Sequence, residues 1–146
     1  MLGIYDEADP TTDFSVSGVF TNPLSFSVDG QTGATIARKL YLRNDDANFY
    51  YYNIQVQPTV NSGTDIVTGA NGFSWKVLAG NTEPTEIQWG TVVAGAVTDL
   101  ADIGSLGNGD ITTYLPFWLR IDVPAGVDVQ VFQNISLEII YEEATA

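Results

Sequence analysis

Two residue types are missing from this chain and a third kind is scarce. The 146 residues include no cysteine and no histidine, and only five lysines and arginines against 18 aspartates and glutamates. Without cysteine there is no disulfide framework, no thiolate nucleophile and no thiolate metal site. Without histidine the Ser-His-Asp and Cys-His constellations are excluded, together with imidazole zinc sites and the commonest general base near neutral pH. The net charge of −13 repels phosphate backbones and anionic headgroups, so neither a nucleic acid nor a membrane surface is an expected partner. No apolar run approaches the ~18 residues that span a bilayer. Residues 1–10 (MLGIYDEADP) lack the basic and apolar regions of a signal peptide, so classical secretion is not expected.

What the chain does have is alternation. Leu115, Phe117, Leu119, Ile121 and Val123 alternate with Pro116, Trp118, Arg120, Asp122 and Pro124, and Ile135, Leu137, Ile139 and Tyr141 repeat the pattern. A period of two puts successive side chains on opposite faces, the mark of half-buried strands. Similar runs cover residues 23–28, 34–43, 49–57, 73–78, 86–93 and 127–132, with Pro58 expected to end the third. In the run from Phe49, Tyr50, Tyr52, Ile54 and Val56 share one parity, which leaves Tyr51 on the other. Segment 99–110, with three glycines, reads as one helical turn or an irregular loop. About eight short strands and no long helix predict an all-β chain, a two-sheet antiparallel β-sandwich of jelly-roll or immunoglobulin-like topology. Residues 1–22 mix acids, Pro10 and scattered apolar side chains and read as an extended N-terminal arm that lies along its own domain or along a neighbouring subunit, with room for an edge strand. Residues 23–146 form the sandwich domain.

Carboxylates are the only abundant reactive groups. The pairs Glu83/Glu86, Asp99/Asp102 and Asp110/Asp122 could be nominated for glycoside hydrolysis, but all sit in turns or on polar strand faces and read as solvated charge. Asn44-Asp45-Asp46, and Asp102 with Asn108 and Asp110, gather oxygen ligands in loops, yet neither matches a calcium-loop spacing. No metal and no cofactor is therefore expected, and no enzyme activity. The aromatics are the remaining candidates: Tyr51 and Trp118 fall on the outward parity, where they could anchor a protein interface or stack on a sugar.

Two segments resemble structural proteins of tailed bacteriophages. ARKLYLRNDDANFYYYNIQVQP has a strand ending in Leu-Arg-Asn, a polar loop and a second strand before proline. LPFWLRIDVPAGVDVQVFQNISLEIIYEE has an aromatic-leucine-arginine strand leading into Val-Pro-Ala-Gly and closing strands. The resemblance implies a non-enzymatic virion protein, foremost a capsid decoration (cement) protein on the capsid exterior. Its implied partners are the major capsid protein or other virion proteins and its own copies, with a trimer favoured. A neck, tail or baseplate component and a carbohydrate- or receptor-binding module are the alternatives. On this reading Leu2, Ile4 and Tyr5 in the arm join Tyr51 and Trp118 as interface residues.

Overall fold

A computed structural model describes residues 2–5, 13–16, 19–20, 26–44, 46–104, 114–128 and 135–146. Two antiparallel sheets face each other. The six-stranded sheet holds β1 (Leu2–Tyr5), β2 (Asp13–Val16), β3 (Val19–Phe20), β4 (Ala34–Asn44), β6 (Ser74–Ala79) and β8 (Tyr114–Val123), in the order β3-β2-β1-β4-β8-β6. The three-stranded sheet holds β5 (Phe49–Val60), β7 (Thr98–Asp99) and β9 (Ile135–Thr145), in the order β7-β5-β9. From β4 to β9, each successive described strand lies in the other sheet. Side-chain sorting, rather than a tight hairpin, must then specify register.

Alternation does that sorting. In β4 and β8, Leu40, Leu42, Phe117, Leu119 and Ile121 point inward and are 0–5% exposed. Tyr51, Ile54, Val56, Val77, Leu100 and Ile103 meet them from the other elements to complete one core. Burying each such aliphatic or aromatic side chain contributes about 1.5–3 kcal/mol. A close backbone contact pins the open end of the β4–β8 pair. Gly33 has φ +77°, and a Cβ there would stand 2.9 Å from both the Ala125 nitrogen and the Val123 oxygen, so only glycine fits.

The sandwich and its alternation match the expectation, and several local features differ; of the strand expected over 23–28, residues 26–28 are not in a strand and the rest lies outside the described residues. First, β5 carries one extra residue. Tyr52 pairs with Glu142 and Gln55 with Ile140, so three steps on β5 answer two on β9, and Asn53 turns to φ 49°. This β-bulge reverses the parity before it. Tyr51, not Tyr50 or Tyr52, shares the inner face with Ile54 and Val56.

Second, β5 does not stop at Pro58 but runs to Val60, with Pro58 opposite Leu137. The two-residue β7 pairs only with Gln55 and Val56, so at Pro58 the strand has a ladder on one side and the missing N–H is tolerated. Third, the strand expected over 86–93 is instead a helical turn, α1 (Glu86–Trp89). Thr85 and Gln88 form a capping box, each side chain bonding the other's backbone N–H. A helical turn separates the two apolar side chains, leaving Ile87 83% exposed and Trp89 buried. Fourth, Leu2–Tyr5 lies along its own domain and is not an edge strand. It is an interior strand between β2 and β4, and the edges of its sheet are β3 and β6. Of the strand expected over 127–132, residues 127 and 128 are not in a strand and the remainder lies outside the described residues.

One buried polar side chain joins the sheets at their other end. Asn44 is fully buried, and its amide donates to the carbonyls of Phe49 and Gly104, each at 2.9 Å. Its Oδ1 accepts the Asp46 N–H at 2.9 Å. Losing this side chain strands two carbonyls, at about 1–3 kcal/mol for each buried unsatisfied group. Asn44→Ala is expected to lower the unfolding free energy by about 2–4 kcal/mol. Asn44→Asp is expected to cost more, because it sets a carboxylate against two carbonyl oxygens. Urea denaturation checks both, and a loss below about 1 kcal/mol would remove Asn44 from this role.

Candidate functional site

The five cations are not scattered. Arg38, Lys39 and Arg43 lie in β4, Lys76 in β6 and Arg120 in β8. All five sit in β4, β8 and β6, three adjacent strands of one sheet that between them carry one acid, Asp122. Strands β5, β7 and β9 of the other sheet carry no cation and four acids, Asp99, Glu138, Glu142 and Glu143. The charge of the strands is thus segregated across the sandwich.

Register arranges four of the cations on the outer face of the six-stranded sheet. Directly opposed residues share a face, so Thr35, Asp122 and Ser74 form one outward row and Ala37, Arg120 and Lys76 the next. Lys39, Trp118 and Leu78 follow, then Tyr5, Tyr41 and Pro116, then Arg43 with Tyr114. Arg38 is on the inner parity, at the rim, with its guanidinium 5.7 Å from the Phe26 ring centre.

The two ends of this face differ. At one end the charges hold α1 against the sheet. Arg120 lies 5.9 Å from the buried Trp89 ring centre and bonds Glu86 at 2.9 Å and Asp122 at 3.4 Å, while the Lys76 ammonium donates to the Trp89 carbonyl. Asp122 accepts from Thr35 at 2.7 Å and Ser74 at 2.9 Å. Partial burial pushes its carboxyl up, but these two hydrogen bonds and Arg120 outweigh it and keep the pKa below the ordinary 3.8.

At the other end the face is cationic and aromatic. The Lys39 ammonium donates to Asn81 at 2.6 Å and lies 5.3 Å from the Tyr41 ring centre. The Tyr41 and Tyr114 rings meet edge to face at 6.0 Å, and Tyr114 is 40% exposed. Trp118 is half-buried between Lys39 and Leu78, and among the described residues its indole N–H, closed off from solvent, has no acceptor. Ammonium and phenol groups on a sheet face suit an acidic, partly apolar protein surface.

Three of the five expected interface residues do not face outward. Leu2 and Ile4 are 4% and 3% exposed and belong to the core, because β1 pairs with β4 inside the sheet. Tyr51 is 3% exposed, because the Asn53 bulge turns it inward against Tyr141 at 5.1 Å. Trp118 is on the outer face as its parity requires. Tyr5 reaches the same face by register, opposite Tyr41, but is itself buried.

The sequence alone does not mark Lys39, Tyr41, Arg43 and Tyr114 as a site. Their shared parity within β4 was readable, whereas the β8 register that adds Tyr114 was not. The calcium reading of Asn44 does not hold, because its side chain is spent on backbone groups. Asp45, Asn108 and Asp110 lie outside the described residues. Among the described residues, no group of three or more acids is placed to hold a metal ion.

Two titrations report on the two sheets. A folded-state pKa below the unfolded value stabilises the fold above the unfolded value and loses that contribution as pH falls. The Asp122 contribution is therefore expected in full above pH 3.8 and to fade below it. Asp122→Asn is expected to flatten the fall in melting temperature in that acid window, and an unchanged acid limb would refute its coupling to folding. Tyr51 is the opposite case: burial first, then Glu143 and Asp46, pushes its phenol up from 10.0 to about 12. Stability is expected to drop as pH rises from 10.0 towards 12, and Tyr51→Phe to remove that loss, followed by tyrosinate absorbance and circular dichroism.

No family model, curated protein or solved structure matches the chain, so its function is read from this face.

Proposed function

We propose that the chain is a virion structural protein, foremost a capsid decoration protein, that binds the phage shell through the cationic-aromatic end of the six-stranded sheet. The observation that carries this reading is the gathering of Lys39, Arg43, Tyr41, Tyr114 and Trp118 on one face of the sheet in a chain with net charge −13. A second fact supports it. The two segments that resemble phage structural proteins become β4–β5 and β8–β9, which pair with each other in both sheets. The resembling stretches are thus the frame that builds the face. Each contact on a shell is modest, and symmetric repetition multiplies it.

The test is binding of the purified chain to undecorated phage heads. Lys39→Glu with Arg43→Glu is expected to weaken binding about tenfold or more, an energy of about 1.4 kcal/mol or above. Trp118→Phe is expected to keep the fold while reducing binding. Undiminished binding by the folded charge-reversed chain overturns the assignment of this face. Copy number in purified virions separates the positions: many copies per head mean decoration, and a few per virion mean a neck, tail or baseplate role.

A further inference from the structure

Charge segregation also selects a partner for the opposite face. On the outer side of the three-stranded sheet, Gln55 stands opposite both Asp99 and Ile140, and Gln57 opposite Glu138. Tyr52 stands opposite Glu142 there, with the Tyr50 and Tyr52 rings 5.9 Å apart. Tyr50 and Ile140 are 38% and 41% exposed among these acids. The cationic-aromatic end of the other sheet is the complement: lysine and arginine for the glutamates, and exposed tyrosine for the tyrosine and isoleucine.

We propose that the outer face of the six-stranded sheet of one copy docks on the outer face of the three-stranded sheet of a second copy. A symmetric contact between two cationic-aromatic ends sets cation against cation, and one between two three-stranded faces sets acid against acid. The head-to-tail pairing of the cationic-aromatic end with the acidic face brings unlike charges together. The overall charge of −13 disfavours any association, but near physiological salt the Debye length of about 8 Å limits that repulsion largely to facing groups. A head-to-tail contact leaves one face of each kind free, so copies add until a ring closes or a stack grows. On a shell, a copy bound by its cationic face presents its acidic face to the next. This inference rests on the charge distribution and extends the proposed function. The two fail separately, because reversing the acidic face removes self-association and leaves single-copy binding to heads.

Sedimentation of the full chain near physiological salt tests it. Wild type is expected to associate with concentration. Lys39→Glu/Arg43→Glu and Glu138→Lys/Glu142→Lys are each expected to remain monomeric alone, at least tenfold weaker in self-affinity. Mixed in equal amounts, they are expected to associate again, because the first retains a native acidic face and the second a native cationic one. Circular dichroism checks that both variants fold, and Lys39→Gln with Glu138→Gln gives a milder pair if either does not. A monomeric wild type overturns the proposal. So does a mixture that stays monomeric, or an acid-reversed variant that self-associates like wild type.

Discussion

The antiparallel ladder between β4 and β8 is the constraint on which the rest of the structure depends. Its ten matched pairs run from Ala34 opposite Val123 to Arg43 opposite Tyr114. Because side chains alternate, one register decides two things at once. It sends Leu40, Leu42, Phe117 and Leu119 into the core, and it sends Lys39, Tyr41, Arg43, Trp118 and Tyr114 to the opposite face. A slip of one residue would bury cations and expose the core, so hydrophobic burial enforces the register of the candidate site. The fold is thereby coupled to the candidate site: the energy that stabilises the sandwich also aligns the cations and aromatics outside it.

Much of this arrangement is legible in the residues. The alternation of residues 115–123 and 34–43 identifies the two ladder strands, the inner row of each and the outward position of Trp118. Position 51 shows where such reading stops. Counting parity through residues 49–57 places Tyr51 outside, but one αL residue, Asn53, inserts a bulge and turns it into the core. A bulge is specified by its partner strand, here β9 some ninety residues away, and local periodicity carries no sign of it. The turn at Thr85–Gln88 is the converse case. Its capping box was present in the residues, but alternation of Ile87, Trp89 and Thr91 suggested a strand. The local hydrogen bonds decided it. For Leu2 and Ile4, apolar character was visible, but the choice between a neighbouring subunit and the chain's own β4 depends on long-range pairing.

The polar chemistry of the chain is divided between framework and face. Asn44 and Asp122 have their hydrogen bonds taken up within the fold, one joining the sheets and the other fixing the Arg120 end. Neither is free for catalysis or for a ligand. Lys39, Tyr41 and Tyr114 lie where a partner can reach them, and the acids of β9 lie across the sandwich. A sandwich with unlike faces is suited to directional assembly, since facing charges fix partner choice and orientation more than affinity.

The chain contains only two lysines, Lys39 at the open end of the cationic face and Lys76 held against the Trp89 carbonyl. Amine-reactive labelling, read residue by residue in the free and the shell-bound or self-associated states, therefore distinguishes a covered cationic face from a bare one. Lys39 is expected to become protected on assembly while Lys76 reacts slowly in both states. Equal labelling of Lys39 in the free and assembled protein would contradict that expectation.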